Sequence, residues 1–424
     1  MPANDENDRE HSPTAGADVE GPRTGLGQRV LRARQWLAKP LPAPPAALRQ
    51  GPLQEGAFPS KLRTARLTSQ LGIALGLCFG VCFVTGLISH FIQHPAPWFW
   101  WPARPVGLYR VTQGVHVATG LATVPLLGVK LWSVYPRLFS WPPLRTIAEL
   151  VERLGITVLV AAALFQLLSG ILNVARWYAP MPFFFTATHY WVAWLAIGGL
   201  VAHIGVKLPV VRDALRRPVR DGLQVSRRQL LVAVGAAAGV ITVSTAGQTV
   251  PRLSWVSVLG PRRPTTGPQR VPVNKTASGA GVVDAAQSPA YRMLIVGPDR
   301  QVSLGLTDLL ALPQHTANLP IACVEGWSAD AVWSGVRLRD LASLAGVDPE
   351  QADAQVESLE IGGRYRTSTV APPHLRDPLT LIALRLHGEP LHMDHGYPAR
   401  LIAPNRPGVM QTKWVSKITL RVVR

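Results

Sequence analysis

The chain has 424 residues, long enough for more than one domain. Only 16% of them are charged, 13 are Trp and the mean hydropathy is positive, which argues against a wholly soluble protein and for membrane segments. The 43 Lys and Arg outnumber the 25 Asp and Glu, but the arginines cluster beside apolar runs, which marks a cytoplasmic membrane face and argues against a nucleic-acid partner.

Residues 1–60 are rich in Pro, Ala, Gly and charge, include the run Pro40 to Pro45 and lack an apolar period, so a disordered cytoplasmic tail is expected. Five apolar runs follow, near Leu67 to Phe91, Val111 to Val134, Gly155 to Val174, Thr188 to Val210 and Leu230 to Val250. Each is long enough to cross a bilayer at about 20 residues per helix. The expected division is a four-span membrane domain over 61–210, a basic segment with a fifth span over 211–250, a linker over 251–270 and a C-terminal domain over 271–424.

Basic residues orient the spans. Lys61, Arg63 and Arg66 precede the first; Arg137, Arg145 and Arg153 lie between the second and third; Lys207, Arg212, Arg216, Arg217, Arg220, Arg227 and Arg228 follow the fourth. The opposite loops carry chiefly Arg104, Arg110 and Arg176, and one holds the interfacial aromatics Trp98, Phe99, Trp100 and Trp101. A multi-pass protein in membrane lipid is expected, with a cytoplasmic N-terminus and an extracytoplasmic C-terminal domain.

Ionisable residues inside a bilayer are costly, which makes His90, His116, His189 and His203 functional candidates, against the plainer role of bonding a neighbouring helix. His116 and His189 lie near the outer ends of the second and fourth spans, where they could share one haem iron. His203 follows His189 by fourteen residues, about 21 Å along a helix and on roughly the same face, as a second stacked haem would need. The other histidine on offer, His90 beside His94, lies at the outer end of the first span, so one haem is expected and the second stays open. Cys78 and Cys82, one turn apart on the first span, read as small-residue helix packing.

Ser226-Arg227-Arg228-Gln229-Leu230-Leu231 precedes a fifth span rich in Ala, Gly, Thr and Ser, the pattern of a twin-arginine export signal, an address for domains that cross already folded. The positive-inside bias explains the arginine pair equally well. Ser244-Thr245-Ala246 has the small residues of a cleavage site, but retention as an anchor is the simpler expectation.

Beyond the linker the texture is mostly β. Strands are expected at Tyr291 to Val296, Gln355 to Ile361, Thr380 to Leu386, Ala399 to Ala403 and Lys417 to Val423, and helices at Leu304 to Leu312 and Leu338 to Ala345. Ile321-Ala322-Cys323-Val324-Glu325-Gly326-Trp327-Ser328 leads into Trp333-Ser334-Gly335-Val336-Arg337-Leu338-Arg339-Asp340-Leu341. A Cys at a strand end, followed by Gly, Trp and a new helix, sits at a turn where its thiolate could reach a soft metal, although core packing is the commoner role. His392-Met393-Asp394-His395-Gly396-Tyr397-Pro398-Ala399-Arg400-Leu401, then Pro404, Gly408 and Gln411-Thr412-Lys413-Trp414-Val415, could grip a phosphate or form an ordinary charged loop.

In order and separation, these two blocks resemble the sulfite-oxidase family of molybdopterin-binding domains, over roughly Pro272 to Arg424. The resemblance implies that Cys323 is the catalytic molybdenum ligand and that His395, Arg400, Gln411, Thr412 and Lys413 hold the pterin and its phosphate. Tyr365, Arg366, Thr367 and Ser368 lie where that family approaches the metal, without individual roles. Cys-Val-Glu-Gly-Trp-Ser looks most like the bacterial protein-methionine-sulfoxide reductase branch, because Gly326, Trp327 and Ser328 stand where sulfite oxidases carry an Arg. Lys61 to Val210 resembles the four-span membrane cytochromes b of hydrogenase and formate dehydrogenase type, on Gly114-Val115-His116, His189 and His203, which implies haem b and a quinone or quinol partner.

The expected fold is thus an N-terminal all-α membrane domain, a four-helix bundle plus an anchoring span, followed by an α+β, mostly β molybdopterin-binding domain. The expected function is oxygen-atom transfer, in the direction of reducing an oxidised sulfur substrate, small or protein-bound, after passage through the twin-arginine export machinery. Sulfite oxidation by the same centre, and a non-enzymatic membrane anchor or assembly protein, are the competing readings.

Overall fold

The computed structural model describes residues 25–37, 39, 60–95, 98–139, 146–217, 221–260 and 262–423. The Pro40 to Pro45 run lies outside the described residues. The expected disordered tail is corrected at one place, where Gly25–Leu37 forms helix α1. Its Leu, Arg and Gln are strong helix formers, and no proline interrupts them. The chain divides into two units, residues 1–57 with 139–154 and residues 58–138 with 155–424. In the first, Glu149 and Arg153 pair at i, i+4 with a 3.4 Å contact.

Among the described residues, five helices are long and apolar enough to cross a membrane. They are α2 (Ala65–Gln93), α3 (Leu108–Val134), α4 (Ile147–Val174), α5 (Phe185–Arg216) and α6 (Asp221–Ala246). Thr64 starts α2 by accepting the Leu67 N–H, a side-chain cap for an otherwise orphaned donor. Helix α6 begins before its apolar run, so Arg227 and Arg228 fall inside the helix. Leu67 and Leu71 of α2 pack with Val234 of α6, and Val117 and Leu121 of α3 with Val174 of α4 and Ala246 of α6.

The C-terminal domain has two five-stranded sheets. The first is ordered β2 (Gln301–Leu304), β1 (Met293–Val296), β10 (Val415–Val422), β5 (Ala352–Ser358) and β6 (Thr367–Val370), with β1 and β10 parallel. In β5 the alternation is plain: Ala352, Ala354, Val356 and Ser358 point inward and their neighbours outward. The second sheet runs β3 (His315–Ala322), β4 (Ser328–Arg337), β7 (Leu381–Leu386), β8 (Glu389–Pro390), with β9 (Arg400–Ile402) also on β7. Short helices stand at Leu306–Ala311 and Leu338–Leu344. One expectation is corrected: Cys323 leads into strand β4, not directly into a helix. Its turn closes the β3–β4 hairpin, which pairs over eight positions from His315 opposite Gly335 to Ala322 opposite Ser328.

This domain sits on the bundle end that carries the first residues of α3 and α5. Asn405 accepts the Tyr109 N–H at 2.6 Å and donates to the Pro102 carbonyl at 2.7 Å. Arg104 grips both oxygens of Asp377 at 2.8 and 3.1 Å, Arg110 meets Asp330 at 2.7 Å, and Arg364 lies 4.0 Å over the Phe184 ring.

Candidate active site

Cys323 is 1% exposed at the head of a tight turn in which its N–H donates to Trp327 O at 2.9 Å and the Gly326 N–H to Cys323 O at 3.1 Å. Gly326 has φ +89, and a Cβ there would meet Val117 of α3 at 2.8 Å, so both its conformation and its seat on the helix exclude a side chain. Burial, then the negative charge of Glu325, pushes the Cys323 thiol up to about 12. Asn274 Nδ2 donates to the sulfur at 2.9 Å. A soft metal that took this sulfur would displace its proton.

The membrane domain holds the flanks of the turn. Arg176, between α4 and α5, lies 3.2 Å from the buried Glu325 carboxylate and donates to the Asn274 carbonyl at 3.0 Å. Burial raises the Glu325 carboxyl, opposed by Arg176 and by the Trp327 indole N–H, which donates to it at 3.0 Å. Tyr178 is pushed up to about 12 by burial first and then by Glu325 and Cys323. Burial also raises Tyr365, with Cys323 adding to the shift, so the residue for which the sequence supported no role stands within electrostatic reach of the sulfur.

Cations lie against both strands of the hairpin that carries the turn, Arg406 near β3 and Arg400 over Trp333 of β4. Ala322 bridges to Pro407, which brings Arg406 alongside β3. Arg406 donates to Thr369 O and Met410 O, and Arg400 donates to His395 O while its guanidinium lies 5.3 Å over the Trp333 ring. The Nε of each is buried without a partner. Burial presses Arg400 down to about 9 and Arg406 to about 10, so each keeps its charge at neutral pH at a cost in solvation. Lys413 Nζ donates to Lys275 O and Asp394 O at 2.6 and 2.7 Å. Gly396, at φ +109, lets Arg400 and Lys413 converge, since a Cβ there would lie 3.1 Å from each of theirs. Among the described residues none of these three cations pairs with a carboxylate. The two buried guanidiniums with orphaned Nε donors, with the half-buried Lys413 ammonium beside Arg400, are what a bound phosphate would satisfy. The residues therefore fit a phosphate-bearing pterin beside a cysteine ligand.

The other expected pterin residues are spent on the protein. The Gln411 amide accepts from Ala403 N and donates to Ala403 O, both at 2.8 Å, which shapes the loop carrying Arg406. Thr412 meets Ser368 at 2.7 Å, and His395 Nε2 contacts Pro268 O at 2.7 Å. Burial first, then Arg400, lowers His395 to about 4, so its ring is neutral at physiological pH.

Lys413 gives a pH test. Burial, then Arg400, lowers it from the ordinary 10.5 to about 7. Between those values the unfolded chain carries the proton and the folded chain does not, so stability rises with pH across the window. Melting of cofactor-free protein from pH 7 to pH 9 is expected to show this rise, and Lys413→Met to flatten it; an identical slope in the variant would contradict the assignment.

Within the bundle a cavity of about 470 Å³ is lined by His90, His116, Gln113, Asn173, His189 and, from the C-terminal domain, Val324, among others. The His116 and His189 ring centroids are 6.3 Å apart. His116 Nδ1 contacts Cys82 O at 2.9 Å, and His189 Nδ1 contacts Ser169 Oγ at 3.0 Å, which leaves the Nε2 of each for a ligand. Two metal–imidazole bonds of about 2 Å each, plus the ring radii, span such a gap. These residues fit one bis-histidine iron. His90 stacks on Tyr190 at 3.7 Å and on His94 at 4.7 Å in the same cavity, whereas His203 does not line it. The structure thus brings His90, His116 and His189 together and keeps His203 apart from them.

Arg406, Asn274, Arg176, Gln113 and Asn173 were not singled out for these roles by the sequence. The one available signal was Arg406 framed by Pro404 and Pro407, a cation in a stiffened loop. Cys82 also does more than pack: its thiol reaches His116 O at 3.2 Å and its carbonyl orients the His116 ring.

Comparison with known proteins bears on the C-terminal domain. Residues 280–423 match the family model described as oxidoreductase molybdopterin binding domain. Mitochondrial sulfite oxidase of Drosophila melanogaster is 29% identical over 31% of this chain and 27% of its own. The uncharacterized oxidoreductase YuiH of Bacillus subtilis is 35% identical over 28% of this chain and 59% of its own. The NAD(P)H nitrate reductase of Hordeum vulgare is 38% identical over 22% of this chain and 12% of its own. The chain thus spans less than two thirds of each relative's length. Its C-terminal domain is a molybdopterin-binding oxidoreductase domain with sulfite oxidases among its relatives.

Proposed function

We propose that this chain is a membrane-anchored oxidoreductase in which a molybdopterin centre at Cys323 exchanges electrons, through one haem b between His116 and His189, with a quinone in the bilayer. Bound molybdenum would supply two-electron oxygen-atom transfer. The chain's own residues would give up the Cys323 proton, hold the pterin phosphate on Arg400, Arg406 and Lys413, and keep bulk water from the buried sulfur. The basic segments and Arg227-Arg228 would face the cytoplasm, and the export machinery would pass the C-terminal domain across folded. The observation that carries the reading is that Val324, next to Cys323, lines the same cavity as His116 and His189.

The direction we favour is reduction of a sulfoxide, on the Cys-Val-Glu-Gly-Trp-Ser segment: sulfoxide plus quinol gives sulfide, quinone and water, with two electrons and two protons delivered by the quinol. His203 does not line this cavity, so the reading takes one haem. In purified membranes, sulfoxide is expected to reoxidise pre-reduced haem. Reduction of oxidised haem by sulfite alone would reverse the direction, and the lack of both a haem band and molybdenum would favour a non-enzymatic anchor.

A further inference from the structure

The turn that carries Cys323 is gripped by α3, which carries His116, and by α4, whose Ser169 meets His189. On α3, Gln113 stands three residues before His116, and its Nε2 donates to the Val324 carbonyl at 3.0 Å. On α4, Asn173 stands four residues after Ser169, whose hydroxyl meets His189, and its Nδ2 donates to the same carbonyl at 3.2 Å. Three or four residues make one helical turn, so His116 on α3 and the His189 contact on α4 each share a face with the grip on Val324, about 5 Å away. Two donors from two helices thus use both lone pairs of one oxygen.

Each amide is also fixed from behind. Gln113 Oε1 accepts from Ser89 at 3.3 Å, Asn173 Oδ1 accepts from Tyr178 at 3.0 Å, and both side chains are buried. Neither amide can turn away without breaking two bonds. The bonds run straight to the residue after Cys323, and Gly326 is seated on Val117, one residue past His116.

We infer that Gln113 and Asn173 are positioning residues. Their shared grip on Val324 O fixes Cys323 at a set separation from His116 and His189, and so governs how fast electrons pass between the two centres. This rests on the proposed function.

Gln113→Met and Asn173→Leu keep side-chain size and remove the donor. In the full-length protein we expect faster hydrogen exchange at the amides from Val324 to Trp327, with molybdenum and haem contents unchanged. Reoxidation of reduced haem by substrate slows about tenfold, the scale of losing a supporting contact at a metal site. Turnover driven by a soluble dye that reduces the C-terminal centre directly keeps its rate. Tyr178→Phe, a milder change that frees Asn173 Oδ1, moves both readouts the same way by less. Unaltered exchange, or dye-driven and haem-driven rates that fall together, overturns the inference. Lack of molybdenum or haem in the unmodified protein sinks the proposed function instead, and the exchange measurement still decides whether the grip exists.

Discussion

Cys323→Ser is expected to abolish substrate turnover and strip molybdenum from the protein while leaving the haem band and the fold in place. Serine matches cysteine in shape and can still accept from Asn274, so the turn that Gly326 and Trp327 close survives. It replaces a soft sulfur by a hard alcohol oxygen that a pocket this buried does not deprotonate. The variant leaves Arg400, Arg406 and Lys413 untouched, so the proposed pterin would stay bound without its metal. Metal analysis beside a visible spectrum reads both halves. Full activity in the variant would remove Cys323 from the chemistry.

For the proposed haem, His116→Ala, or His189→Ala alone, is expected to remove the absorbance entirely, because one iron held between both rings needs both, and each ring is oriented by its own partner, Cys82 O or Ser169. Molybdenum content stays, and turnover fed by quinol falls to background while dye-driven turnover continues. His203→Ala leaves the haem band intact. A band that survived loss of His116 would mean that the iron, if bound, uses His90 or another ligand.

The spans were legible because bilayer thickness converts to a residue count, and the runs at Leu67 to Phe91 and Thr188 to Val210 fall within α2 and within α5. Strand β10 was legible from Val415, Ile418, Thr419 and Val422, whereas β5, with Val356 its one β-branched residue, was expected from Gln355 and begins three residues earlier, at Ala352. The β3–β4 hairpin was not legible. Ala, Ser and Asn blur its alternation, and Pro320 argues against a strand until β3 proves to be at a sheet edge, where a missing N–H costs little. The cysteine, in one block, and Arg400 and Lys413, in the other, could be nominated because motif and chemistry coincide in each. Gln411 looked like a ligand for the same reason, but its amide is spent on Ala403. Gln113, Asn173 and Arg176 are ordinary polar residues near helix ends. Their meaning comes from Val324, Glu325 and Asn274, which lie about a hundred or more positions along the chain, and local pattern carries no record of such contacts.

The ion pairs at Arg104 and Arg110 and the seat of Gly326 against Val117 close the bundle over the cysteine like a roof on a house. A bulky pterin would meet that roof on its way to the sulfur. If the centre is loaded as proposed, furnishing comes first and roofing second: the C-terminal domain acquires its contents while still apart from the helices, and landing on them seals the room.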